Sequence, residues 1–201
     1  MQVILNKYFA ANKSLSDSTI PSTNLMNRKQ ASIVIMGVAG CGKSSLGAAV
    51  AQQLGMSLIE GDDHHSAASL SKMRSGVALT DEDRNGWLEA LGQQLDQQPA
   101  PVVLTCSALK RAYRDRLRHA APGLQFVFLD IDRSQALERV KARAAEHFFS
   151  TSLVDSQFEA LENPTGEDGV LQVDALAPLT ELQARVCAWV NLSAPALKEP
   201  A

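Results

Sequence analysis

The chain has 201 residues, of which 45% are hydrophobic and 20% are charged. This composition is typical of a globular domain and differs from the low hydrophobicity and high charge of a disordered chain. The 19 basic and 22 acidic side chains give a net charge of −3, which disfavours general nucleic-acid binding. The sequence lacks a run of about 18 apolar residues that could span a membrane and the apolar core of a secretion signal. We therefore expect a cytoplasmic protein with no nucleic-acid or membrane partner.

The three cysteines, Cys41, Cys106 and Cys187, are far apart and form no C-x-x-C pair. This pattern argues against both a disulfide framework and a zinc site. We expect reduced thiols at all three positions.

The predicted elements alternate along most of the chain. Residues 1–30 are rich in Ser, Thr and Asn and show no sustained period, which predicts a poorly ordered extension. Short apolar runs then predict strands at 32–36, 57–60, 102–106, 124–129 and 170–173. Segments with helical spacing separate or follow them, at 43–54, 66–75, 81–98, 110–119, 133–145, 152–162 and 179–191. The alternation predicts one α/β domain over 31–192, with a mostly parallel sheet covered on both faces and a tail at 193–201.

A phosphate-binding motif lies between the first predicted strand and the first predicted helix. Residues 37–44, GVAGCGKS, match G-x-x-x-x-G-K-[ST] in the strand–turn–helix context that the motif requires. Glycines let backbone N–H groups turn towards phosphate oxygens, and the helix N-terminus adds its positive dipole end. We expect Lys43 to reach the transferred phosphate and Ser44 to ligate magnesium. The predicted nucleotide-binding residues of this loop are Gly37, Ala39, Gly40, Cys41, Gly42, Lys43, Ser44 and Ser45.

A GTPase would need a guanine-reading N-K-x-D after a later strand, but the Asn-Lys pairs of this sequence precede the loop. The D-x-x-G at 83–86 falls inside a predicted helix, where it is interpreted as coincidence. The residue pattern therefore disfavours a GTPase.

The acidic run EGDDHH at 60–65 follows the second predicted strand. Ligands of an open parallel sheet bind at the carboxyl ends of its strands, so these acids are expected to face the phosphate loop. Phosphoryl transfer to an alcohol needs a carboxylate that orients the hydroxyl and takes its proton, and an acid that helps to hold Mg²⁺ and its waters. We predict Asp62 for the first role and Glu60, acting through water, for the second. The alternative is a hydrated loop without catalytic function.

Several sequence blocks together resemble the gluconokinase family, small P-loop sugar-acid kinases related to shikimate kinases. The blocks occur in the order of that family and cover about 31–175; they are MGVAGCGKSSL, EGDDHH, SKMRSGVALTDEDRNGWL, CSALKRAYRDRLR and HFFSTSLVDSQFEALENP. The resemblance implies a nucleoside monophosphate kinase-like three-layer fold with strand order 2-3-1-4-5 and a lid at about 139–152. It also implies transfer of the ATP γ-phosphate to the 6-hydroxyl of D-gluconate, which gives 6-phospho-D-gluconate and ADP, and a possible homodimer.

Gluconate carries one carboxylate and a chain of hydroxyls, so its site should contain a forked cation and several polar partners. The resemblance assigns Arg84 to the carboxylate; the alternative is a helix-surface pair between Arg84 and Asp81. Thr80 and Asp83 are interpreted as a helix N-cap and an acid in the first turn. The remaining predicted substrate-binding residues, besides Asp62, are His65, Lys72, Ser107, Lys110, Arg114 and His147.

For His65 the alternative is a surface histidine, and for Lys72 it is a solvated lysine. For most of the basic residues at 110–118 the alternative is an exposed charged face.

The lid is expected to place an arginine on the transferring phosphate, because the charge of the phosphate must be neutralised once water is excluded. Arg139 and Arg143 are the candidates, and both are predicted to bind ATP.

Three residues near the end of the resembling region have helical spacing, which predicts that they pack in the core: Val154, Gln157 and Phe158. Trp87 is also predicted to lie in the core.

Two other functions stay open at this point. The first keeps the fold and changes the acceptor to shikimate or another small polyol acid, although CSA at 106–108 stands where shikimate kinases carry a glycine-rich turn. The second is a nucleotide-binding regulator without phosphotransfer. Cys41 is either a redox-sensitive thiol or a small residue that fills space in the loop.

Overall fold

The computed structural model describes residues 31–143 and 151–193, without the side chains of Arg143 and Thr151. The predicted N-terminal extension, all but Ser193 of the tail, His147 and the central part of the predicted lid therefore lie outside the described residues. In the described ranges, no helix is both long enough and apolar enough to cross a membrane.

The described strands form one parallel sheet in the order β2-β3-β1-β4-β5, which confirms the predicted fold class. The strands are β1 Ile33–Met36, β2 Ser57–Glu60, β3 Val102–Thr105, β4 Gln125–Asp130 and β5 Val170–Asp174. The helices are α1 Lys43–Leu54, α2 Ala67–Arg74, α3 Asp81–Asp96, α4 Arg111–Ala120, α5 Arg133–Arg143, α6 Thr151–Ala160 and α7 Leu179–Ser193. Every one of these strands and helices was predicted, with ends that differ by at most two residues. A short 3₁₀ helix, Gly61–His64, was not predicted.

The sheet separates two apolar layers. On the central strand β1, Ile33 and Ile35 pack into one layer, and Val34 and Met36 pack into the other. The first layer includes residues of α1, α5, α6 and α7, and the second includes residues of α3 and α4. Because β1 is buried on both faces, its sequence is a continuous apolar run instead of an alternating pattern.

An ionic cluster joins α4 to the segment that precedes β5. The Arg114 side chain is 0% exposed, and it donates to Glu167 through Nε at 3.1 Å and through Nη2 at 2.5 Å. Its Nη1 also donates to the carbonyl oxygens of Ala108 and Leu109 at 2.9 and 3.0 Å. Arg118 forms a second ion pair with Glu167, with Nη2 at 3.0 Å from Oε2. Hydrogen bonds from Arg114 are the main reason that the pKa of Glu167 is lowered.

The predicted substrate role of Arg114 is not supported by this position, because its guanidinium is buried in the cluster with carbonyl and carboxylate acceptors. Its donors instead fix the segment between β3 and α4. Within that segment, Ala108 is fully buried and has a left-handed backbone with φ of 43°, and Arg114 Nη1 donates to its carbonyl oxygen. An alanine in that conformation costs about 1–2 kcal/mol and persists where the surroundings hold it.

We expect Arg114→Met to lower the free energy of unfolding by about 3–5 kcal/mol in urea titrations at pH 7, because it leaves a carboxylate without its main partner. The wild-type contribution of Glu167 is present above its ordinary pKa of 4.5 and is lost as the pH falls through its lower folded value. The stability difference between variant and wild type should therefore shrink in acid. Arg116→Met, on the exposed side of α4, is the control; an equal loss in both variants would contradict the role of the cluster.

Candidate active site

A cleft of about 520 Å³ opens at the carboxyl ends of β1, β2 and β3. Its lining brings together the phosphate loop after β1, Asp62 after β2 and Ser107 after β3. Residues from α2, α3, α5 and α6 complete its walls. Of the predicted site residues, the cleft is lined by Ala39, Gly40, Gly42, Lys43, Ser44, Ser45, Asp62, His65, Arg84 and Ser107.

The phosphate loop has the backbone that its glycines allow. Gly37, Gly40 and Gly42 have φ values of 139°, 82° and 101°, in the region that side chains disfavour. A Cβ on Gly40 would lie 2.8 Å from the carbonyl oxygen of Ala136 in α5, so the loop packs directly against that helix. Helix α1 begins at Lys43, with its N-terminus at the cleft. Loop N–H groups and the helix dipole therefore favour an anion in this position.

Within the loop, Lys43 Nζ donates to the carbonyl oxygen of Val38 at 3.0 Å. Gly37 and Cys41 are buried beneath the loop and are not part of the described cleft lining. A Cβ on Gly37 would lie 2.9 Å from Cys41 Sγ, so the thiol fills the space under the turn. Burial raises the pKa of the Cys41 thiol, which disfavours the reactive thiolate. This geometry favours the interpretation that Cys41 is a small residue that fills space in the loop.

The two residues predicted to hold magnesium are hydrogen-bonded to each other. Ser44 Oγ donates to Glu60 Oε2 at 3.1 Å, and Thr105 Oγ1 donates to the same oxygen at 2.5 Å. Because the Ser44 proton faces the carboxylate, the lone pairs of its oxygen are available to a cation. Oxygen donors of this kind suit Mg²⁺, which takes its remaining ligands from water and substrate phosphates. The described ranges contain no cluster of three or more His, Cys, Asp or Glu ligands.

At the other end of the cleft, the Asp62 side chain is 82% exposed, whereas the His65 side chain is 6% exposed. The imidazole of His65 stacks on Trp87, with ring centroids 4.4 Å apart and an interplanar angle of 12°. Trp87 is in turn fixed by Nε1, which donates to the carbonyl oxygen of Gly61 at 2.7 Å. His65 is therefore not a surface histidine. Trp87 is buried as predicted, but it also lines the cleft.

The environment of His65 favours its neutral form. Burial is the largest effect and lowers its pKa from the ordinary value of 6.5, and the nearby charge of Arg84 lowers it further. The Asp62 carboxylate, with Oδ1 at 3.9 Å from Nε2, opposes these effects. Nδ1 is buried and has no hydrogen-bond partner within residues 31–143 and 151–193. A neutral imidazole at this position can donate one hydrogen bond and accept another.

Arg84 lies in the wall of the cleft, where Nη1 donates to the carbonyl oxygens of Leu79 and Thr80 at 2.7 and 3.4 Å. The alternative pair with Asp81 is not formed, because Asp81 accepts from Lys110 Nζ at 2.7 Å and from the Tyr113 hydroxyl. The guanidinium of Arg84 therefore has no carboxylate partner among the described residues, as a substrate-carboxylate ligand requires.

Two other predicted substrate ligands have acidic partners. Lys72 Nζ binds both oxygens of Asp83 at 2.7 and 2.8 Å, and Lys110 binds Asp81. Neither lysine belongs to the described cleft lining. Asp83 also forms a capping box at the start of α3 with Thr80, which was predicted as the N-cap. These ion pairs hold both lysine ammonium groups at the start of α3.

Residues of α5 and α6 form another side of the cleft, and the sequence did not assign all of them to the site. Arg139 is half-buried on α5, and its charge acts on Cys41, which places it near the phosphate loop. Val154 and Phe158 pack in the core as predicted, but Gln157 was wrongly predicted to pack. It lines the cleft, and its Oε1 accepts from the Ala39 N–H at 2.6 Å. The other unassigned lining residues are Leu70, Met73, Arg74, Ala78, Leu79, Val140, Leu153 and Ser156.

The fold and this cleft define the chain as a P-loop phosphotransferase. A family model described as an AAA domain matches residues 33–164. The thermosensitive gluconokinase of Escherichia coli is 39% identical over 173 residues, which cover 78% of this chain and 92% of the relative. The thermoresistant gluconokinase of the same organism is 41% identical, covering 73% of this chain and 85% of the relative.

A crystal structure of a gluconokinase from Sinorhizobium meliloti superposes with a TM-score of 0.77 and 46% identity, covering 83% of this chain and 95% of that one. The matched regions cover 85% or more of the length of each of these three relatives. This chain therefore belongs to the gluconokinase family, and it is a kinase.

The opposed charges around His65 give a test of the site geometry. In an NMR titration we expect the His65 imidazole to titrate below 6.5, because burial disfavours its charged form. Asp62→Asn should lower this pKa further, because it removes the anion that stabilises the imidazolium, and Arg84→Met should raise it. The missing signal in His65→Asn assigns the resonance. Shifts of the opposite sign would show that these three groups do not share one site.

Proposed function

We propose that this protein transfers the γ-phosphate of ATP to the 6-hydroxyl of D-gluconate, giving 6-phospho-D-gluconate and ADP. The observation that carries the proposal is the cleft itself, which has a phosphate loop at one end and Asp62 with an unpaired arginine, Arg84, at the other. Its family relatives are gluconokinases, and neither shikimate as acceptor nor a regulator without phosphotransfer is better supported.

Each residue has a role that follows from its position. The Arg84 guanidinium binds the gluconate carboxylate, and the neutral His65 imidazole and Ser107 bind hydroxyls. Asp62 orients the 6-hydroxyl and accepts its proton as the oxygen attacks phosphorus. Lys43 and the loop N–H groups bind the phosphates. Ser44, and Glu60 through water, would hold a magnesium ion, which would supply positive charge against the phosphates.

On the lid side, we propose that Arg139 binds ATP phosphates and that Arg143 and His147 act at the closed lid. We also propose a cytoplasmic location and, from the family resemblance, a homodimer. Light scattering of the purified protein measures the mass of the assembly in solution and tests the homodimer directly.

The acceptor is tested by ADP release, coupled to NADH oxidation, with Mg-ATP and D-gluconate, shikimate, D-glucose or no acceptor. We expect release that depends on gluconate alone. Release with another acceptor would overturn the substrate assignment, and no release with any acceptor would favour the regulator.

Asp62→Asn should lower kcat by about 10²- to 10⁴-fold, because the amide cannot accept the hydroxyl proton. Binding of an ATP analogue, measured by calorimetry, should change little. Asp63→Asn is the matched control, since Asp63 is the adjacent exposed carboxylate and is outside the described cleft lining. Unchanged turnover in Asp62→Asn would exclude this residue as the base.

Arg84→Met should raise the KM for gluconate by about 10- to 100-fold, the equivalent of losing a hydrogen bond to a charged group. The KM for ATP should stay within about threefold of wild type. Lys72→Met provides the comparison, because Lys72 is already paired with Asp83. If the larger rise in KM occurs in Lys72→Met, the carboxylate assignment passes to the lysine.

A further inference from the structure

Helix α6 reaches the phosphate loop through one side chain. Gln157 Oε1 accepts a hydrogen bond from the backbone N–H of Ala39 at 2.6 Å, between residues 118 positions apart in the chain. Both residues line the cleft, together with Lys43 and Asp62. The contact therefore lies in the wall of the cleft, at the phosphate loop.

The placement of Gln157 follows from the two faces of α6. Val154 and Phe158, four residues apart, pack into the core, whereas Leu153, Ser156 and Gln157 line the cleft. This spacing of three and four residues is that of neighbours on one side of a helix. An ion pair between Arg133 Nε and Asp155 Oδ1 at 2.7 Å ties α6 to α5. Gln157 is therefore carried by a helix that is anchored by core packing and by this ion pair.

The hydrogen bond also determines which way the Gln157 amide faces. A backbone N–H can only donate, so the amide oxygen must face Ala39, and the NH₂ group occupies the other branch of the amide. In the described part of the chain, no acceptor is paired with this NH₂ group. Two N–H donors are thus available on a side chain that lines the cleft.

We propose that Gln157 is a catalytic residue whose carbonyl holds the phosphate loop and whose NH₂ group donates to the oxygens of the transferring phosphoryl group. This inference rests on the proposed function. During transfer, the acceptor oxygen forms a bond to the γ-phosphorus, the bond from that phosphorus to the ADP oxygen breaks, and Asp62 takes the hydroxyl proton. Gln157 gains and loses no proton. Its donors stabilise charge on the equatorial oxygens, and the anchored carbonyl keeps them in place before the reaction.

Gln157→Leu removes the anchor and the donors. We expect kcat to fall by about 10²- to 10³-fold, the effect of losing one preorganised donor to a transition-state anion. The KM for gluconate and the calorimetric Kd of a non-hydrolysable ATP analogue should each stay within about threefold of wild type, because the donors act mainly in the transition state. The thermal unfolding midpoint checks that the variant is folded.

Gln157→Glu separates the two roles of the amide. Its carboxylate can still accept from the Ala39 N–H, but it has no donors and adds a negative charge beside the phosphates. We expect a loss in kcat at least as large as that of Gln157→Leu, together with weaker binding of the ATP analogue.

Gln183→Leu is the matched control. Gln183 also bonds to backbone, since its Nε2 donates at 2.8 Å to the carbonyl oxygen of Ala49 in α1, the helix that follows the loop, but it is outside the described cleft lining. We expect its kcat and analogue affinity to equal those of wild type.

Three results would overturn the proposal. Wild-type turnover in Gln157→Glu would show that Gln157 only anchors the loop. Tighter analogue binding with undiminished turnover in Gln157→Leu would show that it blocks the loop. Parallel losses of turnover, analogue affinity and thermal stability would show a structural role. The proposed function fails if the wild-type protein shows no gluconate-dependent ADP release. If only the role of Gln157 is wrong, the wild-type protein still releases ADP when gluconate is added.

Discussion

The end of β2 lies so close to the end of β3 that only glycine fits at position 61. A Cβ there would be 2.2 Å from the carbonyl oxygen of Thr105. The same glycine accepts from Trp87 Nε1 through its carbonyl oxygen, and its N–H donates to Thr105 Oγ1 at 3.4 Å. This contact sets Glu60 beside Thr105 and turns Asp62 into the cleft. The chemistry of the acceptor side thus depends on a backbone approach that no side chain could permit.

The cations around the cleft divide according to their partners. Lys72 and Lys110 are paired with acids at the start of α3, and Arg114 is buried against Glu167. Arg84 and Lys43 instead donate to carbonyl oxygens, which neutralise no charge. A substrate carboxylate and phosphates can therefore pair with these two cations without breaking an existing ion pair, which distinguishes them from Lys72, Lys110 and Arg114.

Sequence patterns predicted the fold because the elements alternate regularly and the phosphate loop has a fixed place between β1 and α1. They also predicted Asp62, His65 and Arg84 at the cleft, from the strand-end rule and the family motifs. The pattern could not separate Arg114 from its exposed neighbours, because its burial depends on Glu167, 53 positions later. Gln157 was missed because helical spacing does not distinguish a core face from a cleft face. The gluconokinase-like block around it was the signal that could have drawn attention to it.

Helix α6 contacts both ends of the cleft. Near its start, Ser152 Oγ donates at 3.1 Å to the carbonyl oxygen of Gly76, which follows α2 on the acceptor side. One turn later, Gln157 holds Ala39 on the nucleotide side. A displacement of α6 at one end would therefore reach the other end of the cleft as well. Any factor by which one substrate changes the affinity for the other through α6 must act equally in the reverse direction.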